Sequence, residues 1–294
     1  MPAAHPLADG LRPGGRFDRW QPLPPRYLLA DVDGTLIGEV QTATERVVAA
    51  VRAAHSAGIV VGFATGRLAS GVAALHDQLG LDGPHIVLNG AQVRTGGRAL
   101  RTWSLRPAQS VAVRDLCARH GLYGEFYLDD GFLVTDVADE RVRAHWELVT
   151  GPPAGVVDAV DLAATTVVKA TIMAFSPDEA SFVVSEVTRL GLLAGPATFP
   201  LTPAIVYVNV THPRADKGRA LAHAAGHLGC RMSEVIAVGD GLNDLSMLAV
   251  AGTAIAMGQA PAEVQQAAHL IVPDVAADGV AHALQAAAGW RRAA

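Results

Sequence analysis

Two carboxylates one residue apart, Asp31 and Asp33, follow the apolar stretch Tyr27-Leu28-Leu29-Ala30 and precede Gly34-Thr35. In an extended chain residues i and i+2 point to the same side, so both can face one reacting centre if the strand carries on to Asp33. Phosphoryl transfer uses such a pair, because one carboxylate can attack while the other handles protons. A strand that simply ends in a polar Asp-Gly turn has the same sequence, so the pair alone leaves both readings open. Three further segments carry suitable chemistry: Thr65-Gly66-Arg67, Lys217, and Gly239-Asp240-Gly241-Leu242-Asn243-Asp244. Together they offer carboxylates, a hydroxyl, an amide, an ammonium and several glycine-flanked backbone N–H groups, with no thiol or histidine cluster. Such an oxygen-rich set suits a hard cation such as magnesium and suits zinc poorly.

The elements that must position these residues follow from the apolar pattern. From Arg26 short apolar runs alternate with amphipathic stretches, which predicts strands and helices alternating around a parallel sheet. Strands are expected near Tyr27 to Asp31, Ile59 to Ala64 and His85 to Leu88, with helices near 42–56 and 70–79 between them. The rhythm breaks near Ala91, where Arg94 to Arg101 reads as a hairpin around Gly96-Gly97. An α+β unit with an antiparallel sheet is expected over 91–204, and the first rhythm returns over 205–294. The fold class is therefore α/β, a doubly wound and mostly parallel Rossmann-like core of residues 26–90 and 205–294, split by an inserted α+β domain. The four chemical segments fall at or beyond the carboxyl ends of core strands, where ligands bind in open α/β sheets.

In this order and spacing the segments resemble the motifs of the haloacid dehalogenase superfamily of phosphatases. Asp31-Val32-Asp33-Gly34-Thr35 is similar to its first motif, Thr65 to the second, Lys217 to the third, and Gly239-Asp240-Gly241-x-Asn243-Asp244 to the fourth. An insertion between the second and third motifs resembles the branch with a large type-two cap, the Cof-like sugar-phosphate phosphatases. Asn89-Gly90-Ala91 and Ala256-Met257-Gly258 echo the same branch, and the similarity spans about residues 26 to 285. The resemblance implies magnesium-dependent hydrolysis of a small phosphate monoester, a sugar phosphate or similar metabolite, through an aspartyl-phosphate. It implies Asp31 as nucleophile, Asp33 as general acid and base, and Lys217, Thr65, Gly66 and Asn243 around the phosphate. Magnesium would be held by Asp31, the Asp33 carbonyl and Asp240, with Asp244 as outer support. A phosphomutase or phosphotransferase on the same fold, and a non-catalytic phosphometabolite-binding module, are the competing expectations.

Bulk properties narrow the partners. The chain has 294 residues, half of them hydrophobic, and a net charge of -5. No basic stripe exists for a nucleic-acid backbone, and no run of about 18 apolar residues predicts a membrane span. Cys117 and Cys230 are too few and too far apart for a disulfide framework, which fits a cytoplasmic protein, a monomer or small homo-oligomer. Residues 1–25, rich in Pro, Arg and Gly, are expected to form a disordered tail. Among the 23 cationic side chains only Lys169 and Lys217 are lysines. A lysine kept in so arginine-biased a chain marks a place where a compact ammonium is needed, so Lys169 is a further candidate for substrate contact, and the resemblance at Asn89-Gly90-Ala91 implies Asn89 as another. Hinges for the insertion are expected near Gly90 and 202–204.

Overall fold

The computed structural model describes residues 7–21, 23–146, 151–198 and 202–293. Two sheets organise them. The first has nine strands in the order Arg12–Pro13, Leu270–Ile271, Thr253–Ala256, Val235–Gly239, Tyr27–Asp31, Val60–Ala64, His85–Val87, Gln92–Thr95 and Arg98–Thr102. Its six inner strands run parallel, and antiparallel strands close both edges. Tyr27–Asp31 is buried along its whole length, as a continuous apolar run in a covered parallel strand requires. The chain moves from this strand in one direction to Val60–Ala64 and His85–Val87, then later in the other direction to Thr253–Ala256 and Leu270–Ile271. Tyr27–Asp31 and its neighbour Val235–Gly239 therefore flank the switch point, where the connecting loops diverge and leave a crevice.

Helix Glu45–Ser56 starts at Thr44, whose hydroxyl accepts from the Val47 N–H, and buries Val47, Ala50, Val51 and Ala54. It packs against the closing helix Gly279–Arg292, while helix Lys217–His227 packs against Leu245–Val250. The Ala-rich faces of these helices allow close approach to a sheet built largely from Val, Leu, Ile and Ala.

The second sheet has the order Leu193–Thr198, Val206–Thr211, Lys169–Ala174, Tyr123–Tyr127, Phe132–Val134, Gly155–Val156, antiparallel except for its last pair. Helices Pro107–His120 and Pro177–Arg189 cover one face over a separate apolar core that includes Phe126, Ile172, Val208 and Val210. The inserted α+β unit thus forms, but with sheet memberships displaced from 91–204. Gln92–Thr95 and Arg98–Thr102 extend the first sheet, because their hairpin pairs with His85–Val87. Val206–Thr211, placed in the core by the sequence, pairs with Lys169–Ala174 in the second sheet. The chain consequently crosses between sheets at 103–122 and 212–216. Gly90 lies inside the core and 202–204 within the second sheet's own connection, so neither is a crossing.

The expected tail is also corrected for the described residues from 7 onward; residues 1–6 and 22 lie outside the description. The strand Leu270–Ile271 leaves an open sheet edge, and Arg12–Pro13 pairs antiparallel with it. The Gly14 and Arg16 N–H groups donate to the His269 and Ala268 carbonyls. Trp20 lies 5.3 Å from the Trp290 ring and donates to Thr253 Oγ1 at 3.0 Å. Proline and arginine density masked this order, because the apolar anchors Leu7, Leu11, Phe17 and Trp20 are irregularly spaced.

One core residue makes stability pH-dependent. The Phe63 N–H donates to His85 Nδ1 across the parallel sheet, and the two rings stack at 4.3 Å. Burial, with the charge of His76 adding to it, pushes His85 down to about 3. The folded state therefore binds this proton more weakly than the unfolded chain. Its contribution is fully present above the unfolded value near 6.5 and is lost as pH falls toward 3. Urea unfolding at pH 7 and pH 4 is expected to show a loss on the order of 2–3 kcal/mol from this group. His85→Gln keeps an acceptor without the charge, and should flatten the profile by that amount.

Candidate active site

Three adjacent parallel strands deliver the chemistry to one edge. Tyr27–Asp31 ends on Asp31, Val60–Ala64 stops one residue before Thr65, and Val235–Gly239 stops one residue before Asp240. Lys217 opens its helix behind the N-cap Asp216, whose carboxylate accepts from the Arg219 N–H at 2.8 Å. A cation in a first helical turn opposes the helix dipole, and here the side chain is directed to a buried target instead of water.

Lys217 Nζ donates to Asp31 Oδ1 and to Asp244 Oδ1, both at 2.5 Å. All three side chains are at least nine-tenths buried. Asp244 uses its other oxygen to accept from the backbone N–H groups of Asp240 and Gly241, each at 3.0 Å. It therefore ties the loop and the ammonium together. Burial alone would depress Lys217, but Asp244 and Asp31 more than reverse this and hold it above the ordinary lysine value. Burial raises Asp31 well above the usual carboxylate range, with Asp244 adding and Lys217 opposing. Burial and then Asp244 push Asp240 up to about 6, against the lowering effect of Lys217 and hydrogen bonds from Thr35 and Gln259.

Asp31, Asp240 and Asp244 each offer an oxygen within 4.8 Å of the others. A single ammonium does not neutralise three such carboxylates, and at Asp31 and Asp240 the neighbouring negative charge adds to burial in raising the carboxyl. Close carboxylate oxygens of this kind fit a hard divalent cation. Asp31 and Asp240 are the stronger candidates for direct contact, since Asp244 is held on both oxygens at 3.0 Å or less, whereas Asp240 meets only the longer bonds from Thr35 at 3.3 Å and Gln259 at 3.4 Å and Asp31 keeps Oδ2 open.

The strand ends at Asp31 as expected, so the continuation to Asp33 that would put both carboxylates on one side does not occur. The chain turns so that the Thr35, Leu36 and Ile37 N–H groups return to the Val32, Asp31 and Val32 carbonyls. Gly34 has φ 83° in this turn, and a Cβ there would lie 2.3 Å from Asp240 Oδ2. Both the conformation and the approach require glycine. Asp33 pairs with Arg67, which donates through Nε at 2.9 Å and through a second nitrogen to the other oxygen. Arg67 also donates to Gln41 Oε1 at 2.6 Å.

Thr65 is buried, and its hydroxyl accepts from the Arg67 N–H at 3.1 Å. Gly66 packs so closely on Asn89 that a Cβ would meet Asn89 Oδ1 at 2.8 Å. Asn89 adopts a left-handed conformation, φ 57°, and accepts from Asn243 Nδ2 at 3.4 Å, so the two amides meet at the crevice. Gly90, at φ 89°, leaves no space for a Cβ beside the Asp216–Lys217 backbone. Lys169 reaches from the second sheet and donates to the Gly66 carbonyl at 3.2 Å. Every candidate residue thus falls in one connected region.

Sequence reasoning left Arg67 undecided and missed Gln259. Gln259 Nε2 donates to the Gly34 carbonyl at 2.5 Å and lies 3.4 Å from Asp240 Oδ2, while its Oε1 accepts from the Val275 N–H. Its position directly after Ala256-Met257-Gly258 was the only signal available. His223 packs against Trp103, with ring centroids 6.1 Å apart.

Comparison with known proteins identifies the family. The family model for haloacid dehalogenase-like hydrolases matches residues 28–284, and the chain belongs to that family. Within it the chain is a Cof-like phosphatase, a phosphoric monoester hydrolase. It is 26% identical to the 5-amino-6-(5-phospho-D-ribitylamino)uracil phosphatase YwtE of Bacillus subtilis, over 87% of this chain and 96% of the relative. It is 25% identical to the pyridoxal phosphate phosphatase YbhA of Escherichia coli, again over 87% and 96%. A solved haloalkanoate-superfamily phosphatase from Bacteroides thetaiotaomicron superposes with a TM-score of 0.75 at 26% identity, covering 90% of this chain and 96% of that one. Among the described residues no helix is long and apolar enough to cross a membrane.

Proposed function

We propose that the protein hydrolyses a small phosphorylated metabolite, with a sugar phosphate or similar polyol phosphate as its substrate class, through an aspartyl-phosphate on Asp31. The observation that carries this reading is the Asp31–Lys217–Asp244 array at the sheet's switch point. Asp31 Oδ1 is fixed by Lys217, leaving Oδ2 to attack phosphorus in line. Splitting a very slow hydrolysis into two displacements lowers each barrier. Asp33 supplies the proton to the leaving oxygen and then removes one from the attacking water. For this it must exchange its resting pair with Arg67 for the substrate, and the freed guanidinium is placed to meet phosphate oxygens bidentately. Thr65, the Gly66 backbone, Asn243 and Lys217 hold the phosphate and offset charge as it develops.

Magnesium would be held by Asp31, Asp240 and the Asp33 carbonyl, with Asp244 supporting the loop, and would let an anionic nucleophile approach an anionic phosphate. Chelation is expected to reduce turnover of p-nitrophenyl phosphate at least about 100-fold, since such an ion supplies several kcal/mol of charge stabilisation, and added magnesium should restore it. Because protons compete for Asp240 below about pH 6, half-activation should need more magnesium at pH 5 than at pH 7.5. A chelated enzyme that keeps full activity would remove magnesium from the mechanism. A steady-state screen over sugar phosphates, nucleotides, pyridoxal phosphate and flavin mononucleotide tests the substrate class. It fails if aryl phosphate is cleaved and no sugar or polyol phosphate is.

A further inference from the structure

The inner face of the second sheet carries an unusual buried polar group. Strand alternation places Tyr123, Glu125 and Tyr127 on that face, opposite Met173, Thr171 and Lys169 of the next strand. The opposite face, with Phe126, Ala170 and Ile172, enters the apolar core under the helices. Tyr123, Tyr127 and Met173 instead pack with the catalytic domain's core, so the polar face looks toward the active site.

Glu125 is fully buried and saturated. One oxygen faces Tyr123 Oη at 3.4 Å and Trp146 Nε1 at 3.2 Å, and the other is bonded to Tyr127 Oη and lies 3.4 Å from His145 Nε2. Lys169 is the reverse case. It is equally buried, yet it makes one hydrogen bond, to the Gly66 carbonyl, and otherwise lies 5.0 Å over the Tyr127 ring. Two of its three N–H donors lack acceptors, an arrangement that costs free energy unless a ligand completes it. One neighbour repeats the pattern, since His145 Nδ1 is buried without a hydrogen bond among the described residues. Gly66 joins Thr65 to Arg67, so this ammonium sits at the border of the proposed phosphate site. The chain's two lysines therefore converge on one crevice, Lys217 from the core and Lys169 from the inserted sheet.

We propose that Lys169 is the specificity-determining residue of the inserted domain: it docks on Gly66 and donates its free N–H groups to hydroxyl oxygens of a polyol leaving group. This assignment rests on the hydrolase reading given above. A hydroxylated leaving group fits better than a second anion, because Glu125 already stands near the ammonium as its buried countercharge. Tyr127 supplies a flat wall for a carbon skeleton, and Glu125 acts as a positioning residue that orders Tyr127, Trp146 and His145. Arginine would not substitute, because its wide planar fork does not fit where a narrow ammonium meets a single carbonyl.

The test compares two leaving groups in one enzyme. Lys169→Met and Lys169→Arg are assayed with p-nitrophenyl phosphate, which has no hydroxyl, and with glucose 6-phosphate, fructose 1-phosphate and erythrose 4-phosphate. With Lys169→Met, kcat/KM for the sugar phosphates that the native enzyme cleaves should fall about 30- to 100-fold, mainly through KM, a loss at least about 10-fold greater than that for the aryl ester. Lys169→Arg retains a cation beside Glu125 and keeps the test available if the methionine variant does not fold. It should still lose about 10-fold or more on sugar phosphates relative to the aryl ester. Equal losses on both substrate types, or none on either, overturn the assignment. Native enzyme that cleaves the aryl ester and no sugar phosphate overturns it as well. An aryl-phosphatase activity that disappears in Asp31→Asn shows that the hydrolase reading survives such a failure; native enzyme without any turnover overturns both.

Discussion

Asp31→Asn is expected to abolish phosphatase activity, lowering kcat with p-nitrophenyl phosphate at least about 10⁴-fold, while the protein stays folded. The amide has nearly the shape of the carboxylate and lacks its nucleophilic charge. Lys217 retains Asp244 at 2.5 Å, so the ammonium is not left alone. Asp31 now lies among Asp244, Asp240 and Asp33, whose charges all raise its pKa. Removing one of these buried negative charges relieves repulsion, and the melting temperature should be unchanged or higher. Steady-state kinetics and a thermal melt on the same preparation check both parts. Activity within 100-fold of the native enzyme would exclude Asp31 as the nucleophile. A large loss accompanied by unfolding would show instead that the residue holds the crevice together.

The contrast between Asp31 and Asp33 shows what the sequence could and could not convey. Both carboxylates were legible from their types and spacing, and the strand ending at Asp31 was legible from its apolar run. Their separate environments were not. The turn at Gly34 sends Asp33 toward Arg67, which lies in a different loop 34 residues later, and no local pattern encodes that pairing. Gln259 was hidden for the same reason, since its amide matters only because Gly34 and Asp240 arrive beside it. Lys217 was easier to find, because a lysine kept in so arginine-rich a chain marks a place where a compact ammonium is needed. The sheet boundaries failed differently. Gln92–Thr95 and Val206–Thr211 have ordinary strand sequences, and only pairing decides which sheet receives them.

The other large effect lies on the opposite member of the buried array. Lys217→Met should destabilise the protein by roughly 3–5 kcal/mol, because removing one partner of a buried ionic group leaves uncompensated charge. Here Asp31 and Asp244 would be left close together, with Asp240 nearby and no ammonium between them. Methionine fills nearly the same volume, so the loss reports charge more than cavity. Proton uptake offers partial relief: the carboxylates can neutralise, which makes the deficit smaller at pH 5 than at pH 8. The same reasoning predicts coupling. Adding Asp31→Asn to Lys217→Met should recover about 1–2 kcal/mol, a non-additivity typical of groups sharing one network. Magnesium should also stabilise the single variant more than it stabilises the native protein, since it replaces missing positive charge among the same oxygens. Denaturant unfolding of the native protein, both single variants and the double variant, with and without magnesium, measures each of these quantities. Additive losses that are indifferent to pH and magnesium would mean that Lys217 acts by packing, and that the electrostatic account of this crevice is wrong.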